Sequence, residues 1–239
     1  MSRSWHRPRA FAVALTLAGV AVFLALAMWQ FRRAHEKDLL FDALAQATTQ
    51  APVSLEAARR EASDGRYPVV RVEGRFDPRR QYLLDNQVRG ARTGVMVYGV
   101  FEPAQGGPAL LVNRGFLARD AAALPEPPPL PSSHVAISAI YAPPPGVGLR
   151  MGGNVLPRQS EWPKTVIYID LGEIAADAAR ELDARVLLQI GDDPRFARDW
   201  TPAVFPPVRH LGYAWTWLTF ALVAVATFLI LHWRRREPR

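Results

Sequence analysis

Two uncharged, apolar runs near opposite ends of the 239-residue chain limit what it can fold into. Residues 211–233 form a run of 23 with one ionisable group, His232, close to its far end. Residues 10–29 form a run of 20 without a charge. About 20 apolar residues cross a bilayer as a helix, so both runs read as membrane spans. A secretory signal is the competing reading of the first, because a basic head precedes it. The run is longer than a typical signal core. Ala25 and Ala27 mimic a small-residue cleavage site, but apolar Met28-Trp29 follows them directly. An uncleaved span is therefore expected, with Trp29 in the interfacial aromatic belt.

Nearly all of the net charge of +7 lies in the tails. Arg3, Arg7, Arg9, Arg234, Arg235, Arg236 and Arg239 stand against Glu237 alone, whereas the rest of the chain holds 22 basic and 21 acidic residues. This is the charge pattern of membrane topology, not of a nucleic-acid surface. Acid-free basic flanks place both termini in the cytoplasm and the middle of the chain across the membrane, in a bacterium the periplasm. Arg32 and Arg33 lie on the opposite flank, but Glu36 and Asp38 accompany them, and long translocated domains are largely exempt from the rule. The chain has two lysines among its 29 basic residues, as a GC-rich bacterial genome would give, and no cysteine. Disulfides and cysteine-based metal sites are thereby excluded.

The expected organisation is a cytoplasmic tail at 1–9, a transmembrane helix at 10–31, a periplasmic domain at 32–209, a second transmembrane helix at 210–233 and a cytoplasmic tail at 234–239. Residues 31–47 carry good helix formers and neither Gly nor Pro, so the first helix could continue beyond the membrane. Ser54 caps a short helix ending near Gly65. Period-two alternation and turn residues then predict strands near 70–76, 81–85 after a turn at Pro78, 94–102, 109–113, 134–141, 164–169 and 185–190. Five prolines within 124–131 make a stiff surface connection, and 143–157 is a long loop. Asp170 caps a helix, with Glu173 as its capping-box partner. The fold class is a membrane protein in which two transmembrane helices flank an α+β extracytoplasmic domain. Its sheet is mainly antiparallel and could curl into a barrel.

Enzyme signatures are missing: no HExxH, G-x-S-x-G, P-loop or G-x-G-x-x-G occurs. His210 is the residue that invites chemistry. It opens the second span, where the helix N-terminus disfavours imidazolium and, with Arg209, attracts anions. A neutral imidazole can bind haem iron. Ala214, Trp217 and Ala221 follow at helical spacing, with space for a flat ring and a surface to stack on. Tyr213 and Trp215 lie on neighbouring faces. By topology Trp29, Gln30, Arg33 and Lys37 reach the same membrane surface, and Arg33 can grip a carboxylate bidentately. The same residues also make an ordinary interfacial belt, with Arg33 snorkelling and Gln30 merely wet. The residues alone leave both readings open.

Several motifs together resemble the Surfeit locus protein 1 family, assembly factors of haem-copper cytochrome c oxidase. They are Trp29-Gln30 with Arg33 and Lys37, Val72-Glu73-Gly74-Arg75-Phe76, Leu84-Asp85-Asn86, Leu111-Val112-Asn113-Arg114-Gly115, Trp162-Pro163-Lys164 and His210-Leu211-Gly212-Tyr213-Ala214 with Trp217. Ala27, Gly99-Val100 and Phe116 depart from the family's usual Gly, Thr-Pro and Trp. The resemblance implies a non-catalytic protein of the bacterial inner membrane that binds haem a and helps insert it into oxidase subunit I, with haem A synthase as a further partner. It implies His210 as the haem-iron ligand. Trp29, Tyr213 and Trp217 would then pack the macrocycle, and Arg33 or Arg209 would meet the propionates. The rival readings are a cofactor-free membrane scaffold that stabilises oxidase subunits and, from a different class, a membrane-bound hydrolase.

Overall fold

In a computed structural model of the chain, residues 3–5, 8–61, 65–119, 123–146, 152–202 and 204–235 are described. His6, the tail arginines Arg7, Arg236 and Arg239, the segment just before Gly65 and part of the 143–157 loop lie outside these residues. The chain divides into two compact units, Met1–Leu40 with Val204–Arg239 and Phe41–Ala203.

The first unit is built from β1 (Arg3–Trp5), most of α1 (Ala10–Ala47), α4 (Pro207–His232) and β8 (Trp233–Arg235). At 1.5 Å per residue, the 38 residues of α1 reach about 57 Å, far beyond its apolar stretch. The helix therefore continues through the polar segment after Trp29 without a break. Only 6% of the most apolar window of α1 and 11% of that of α4 is buried, so neither is the core helix of a soluble domain. Their outward residues, such as Leu15, Val22, Leu222 and Ile230, are large, apolar and exposed, as membrane anchoring requires. β1 and β8 pair antiparallel, which brings the two chain ends side by side.

The second unit carries α2 (Leu55–Arg60), β2 (Val69–Arg89), β3 (Arg92–Pro103), β4 (Ala109–Ala118), β5 (Val135–Ala142), β6 (Lys164–Val166), α3 (Leu171–Ala178) and β7 (Leu182–Gln189). Six strands form one mixed sheet in the order β3-β4-β7-β5-β2-β6, and a further β2–β3 pairing brings the order back on itself. Four pairings are antiparallel; β4–β7 and β2–β6 are parallel. β4 is buried on both faces. Leu110 and Val112 join a core with Phe76, Phe101 and the α2 residues Leu55 and Ala58. Ala109 and Leu111 point the other way, into a second core with Ile174 and Ala178 of α3. The expected turn at Pro78 is absent. β2 runs through it, and the register with β3 shifts between Phe76 and Gln81, so the missing proline N–H falls where no ladder bond is needed. Ser54 and Asp170 cap α2 and α3 as expected, accepting from Ala57 N and from Gly172 N and Glu173 N. The Glu173 carboxylate accepts from the Asn154 side chain and the Tyr168 hydroxyl.

Asn113-Arg114-Gly115 forms a β-bulge. Val97 pairs with Gly115 and Tyr98 with Asn113, leaving Arg114 as the extra residue. The Asn113 side chain accepts from Gly115 N at 3.1 Å. Gly115 has φ +131°, and a Cβ there would stand 2.7 Å from Cβ of Phe196. The bulge turns Arg114 inward, where it donates to Gln81 Oε1 and to the carbonyls of Pro128 and Pro129. Burial pushes its pKa down to about 10, with the Arg195 charge adding to the effect, so it stays a cation at neutral pH. The motif thus ties β4 to the proline segment. Backbone bonds between Phe116 and Ala197 tie β4 to the returning chain as well. Elsewhere in the sheet unit, Lys164 Nζ meets Asp177 at 2.6 Å, both side chains are almost fully buried, and the Tyr82 hydroxyl donates to the same carboxylate.

Two substitutions in the full-length protein, held in detergent, test these ties. Gly115→Ala should lose about 1–3 kcal/mol through forced left-handed backbone and contact with Phe196. Lys164→Met should lose about 3–5 kcal/mol by leaving the Asp177 carboxylate buried without its cation. Denaturant unfolding followed by tryptophan fluorescence reads both. Wild-type stability in either variant contradicts the structural role of the residue replaced.

Candidate functional site

The site lies where the apolar part of α1 ends and α4 begins, both within the first unit. Pro207 is the first residue of α4 and Pro206 its cap, which suits a helix start because proline's missing N–H would be unpaired there. His210 follows within the first turns. Its Nδ1 lies 2.8 Å from Gln30 Oε1 of α1, a hydrogen bond across 180 residues of sequence. Gln30 is only 9% exposed, against its reading as a merely wet interfacial residue. Its neighbours on the same face, Ala27 and Ala34, are buried too. The spacing Phe23, Ala27, Gln30, Ala34 alternates four and three residues, the seam of a left-handed antiparallel pair. On α4 the matching seam is His210, Ala214, Trp217 and Ala221. Ala214 and Ala221 are buried.

The buried alanines Ala214 and Ala221 share the face of α4 that also carries Trp217. Trp217 is stacked on Phe23, with ring centroids 5.9 Å apart and planes at 22°. Phe220 packs against both rings. Small residues in a membrane-facing helix permit close approach of a partner helix as readily as of a ligand, and here they serve the helix.

The other residues expected at the site lie beside the seam. Phe31 and Trp215 meet edge-to-face at 6.0 Å and mark one flank of the pair. Trp29 and Arg33 stand two residues from Phe31, and Tyr213 two from Trp215. Each is therefore turned by about 200°, onto the opposite flank. Arg209 is one turn before Tyr213 on that side. Trp29 is 52% and Tyr213 58% exposed, so both rings are open. Arg209 sits over the Phe205 ring, 4.7 Å from its centroid. Arg33 donates to Glu36 at 2.8 Å, with both side chains about half exposed. The hydrogen bond from Arg33 holds the Glu36 carboxyl below the usual carboxylate range, with the charges of Arg33 and Lys37 adding to it. Such an exposed i,i+3 pair is screened by solvent and adds little stability, so a competing carboxylate can displace it.

The arrangement therefore offers one imidazole, anchored through Nδ1, whose Nε2 has no partner among the described residues. Two open rings and two cations flank it. His35 and His134 are exposed. Among the described residues no group of three His, Cys, Asp or Glu is placed to hold a metal ion. The burial of Gln30 is the feature that sequence pattern alone leaves open. Its seam spacing with Ala27 and Ala34 is the signal that marks it as inward-facing.

No curated protein matches the chain. A family model described as the SURF1 family matches residues 17–222. The match begins inside α1, takes in the whole sheet unit and ends inside α4, so it includes Gln30, the Asn113-Arg114-Gly115 bulge and His210. The chain belongs to the SURF1 family.

Proposed function

We propose that this protein is a non-catalytic assembly factor of cytochrome c oxidase, which binds haem a at the end of its helix pair and assists its insertion into subunit I. Its two apolar helices anchor it in the bacterial inner membrane. Both termini face the cytoplasm and the sheet domain faces the periplasm, where it docks the oxidase or haem A synthase. Family membership supports the assembly role. The neighbouring chain ends support termini on one side. The observation that carries the cofactor reading is the His210 ring, held through Nδ1 by Gln30 and flanked by open aromatic faces.

The open rings support a haem placed on one flank of the pair. His210 would hold the iron through Nε2, Trp29 and Tyr213 would cover the ring's apolar surface, and Arg209 and Arg33 would take the propionates. Trp217 contributes from behind, by bracing α4 against α1. Bound haem supplies a Lewis-acidic iron that accepts a neutral imidazole. A carrier needs ligation that can be exchanged, and one histidine at a membrane surface meets that need.

A cofactor-free scaffold is favoured by one feature: the His210–Gln30 bond and the Trp217–Phe23 stack would also serve as glue between membrane helices. The absorption spectrum of protein purified from cells that make haem A separates the two readings. The carrier gives a haem a band that His210→Ala loses or shifts at equal protein. A colourless wild type leaves the scaffold. Equal bands in both move the ligand elsewhere, with His35 and His134 next to test.

A further inference from the structure

Gln30 is a buried amide on a helix face otherwise lined by Phe23, Ala27 and Ala34. A leucine would pack there without needing a partner, whereas a buried amide is costly unless it is hydrogen-bonded. The bond it makes is chemically one-sided. A carboxamide oxygen has lone pairs and no proton, so the nitrogen 2.8 Å from Oε1 must be the donor. A neutral imidazole carries one ring proton. If Nδ1 holds it, the lone pair is on Nε2, the nitrogen without a partner among the described residues.

We propose that Gln30 is a positioning residue for His210: it fixes the imidazole as the Nδ1–H tautomer, so that Nε2 presents its lone pair on the flank of Trp29 and Tyr213. The use made of that lone pair rests on the haem reading above; the tautomer does not. Metal-ligating histidines commonly donate the N–H of their other ring nitrogen to an oxygen, which sets ring orientation and raises ligand basicity. Here that oxygen comes from a different helix. The ligand atom is therefore displayed only when α1 and α4 are paired, and the same bond that closes the seam aims the ring outward.

The test is nitrogen-15 spectroscopy of the haem-free, full-length protein in lipid nanodiscs, labelled at the histidine nitrogens. It is run near pH 8, above the ordinary imidazole range. The His210 signals are identified by their loss in His210→Ala. A protonated Nδ1 and unprotonated Nε2 are expected in the wild type. Gln30→Glu keeps an acceptor and should keep this tautomer, whereas Gln30→Leu should give a mixture of the two. A wild type with protonated Nε2 overturns the proposal, as does Gln30→Leu with an unchanged spectrum. If the leucine variant does not fold, the wild-type and glutamate spectra still decide.

Haemin titration of the same samples separates this proposal from the reading it rests on. Gln30→Leu should bind about 10–100-fold more weakly than wild type, and Gln30→Glu should retain binding. The expected tautomer with no haemin uptake by any variant removes the haem reading and leaves Gln30 its role. Equal uptake by wild type and Gln30→Leu, with the tautomer unchanged, does the reverse.

Discussion

One hydrogen bond, from the first turns of α4 to the middle of α1, gives the helix pair its register. Two apolar helices in lipid have little hydrophobic reason to choose one alignment, because lipid tails are as apolar as leucine. Close packing and polar bonds must choose instead. The His210–Gln30 bond supplies the polar part and the Phe23–Trp217–Phe220 cluster the packing part. With that alignment set, the 3.6-residue period determines the rest. Alanines fall on the seam, Phe31 and Trp215 on one flank, and Trp29, Arg33, Arg209 and Tyr213 on the other. The site is a consequence of helix pairing, and any change that slips the pair by a turn would scatter it.

The sheet unit solves a different problem. It must bury both faces of β4 while holding a stiff proline segment and an irregular return of the chain. A single bulge contributes to this, because the extra residue turns Arg114 inward, towards the carbonyls of Pro128 and Pro129. Burying a guanidinium is expensive, and the lowered pKa of Arg114 reflects that cost. It is tolerated because Gln81 and the two proline carbonyls give its donors fixed acceptors. The Asn113-Arg114-Gly115 motif is therefore part of what holds the sheet unit together.

Both apolar helices, the caps at Ser54 and Asp170, and most strands are legible in the sequence, because capping and alternation are short-range effects. Three features are not. β2 passes through Pro78 because tertiary register places the proline at a bulge, which turn propensity cannot register. The parallel pairing of β4 with β7 joins segments far apart in sequence and leaves no local mark. The role of Trp217 and of the alanines beside it depends on whether a ligand or a helix fills the groove, and small residues suit both. Gln30 is hard to read for a related reason. A glutamine at the end of an apolar run looks solvated until its face is known.

Delivery of a cofactor is what separates a carrier from a scaffold, so haem a in the finished oxidase is the quantity to measure. The strain for this carries His210→Ala in its sole copy of the protein, and the oxidase purified from it is assayed for haem a per subunit I. A carrier predicts that subunit I still accumulates but is several-fold depleted in haem a. Normal haem a per subunit, with the amount of subunit I itself falling, would contradict delivery and identify the helix pair as a scaffold.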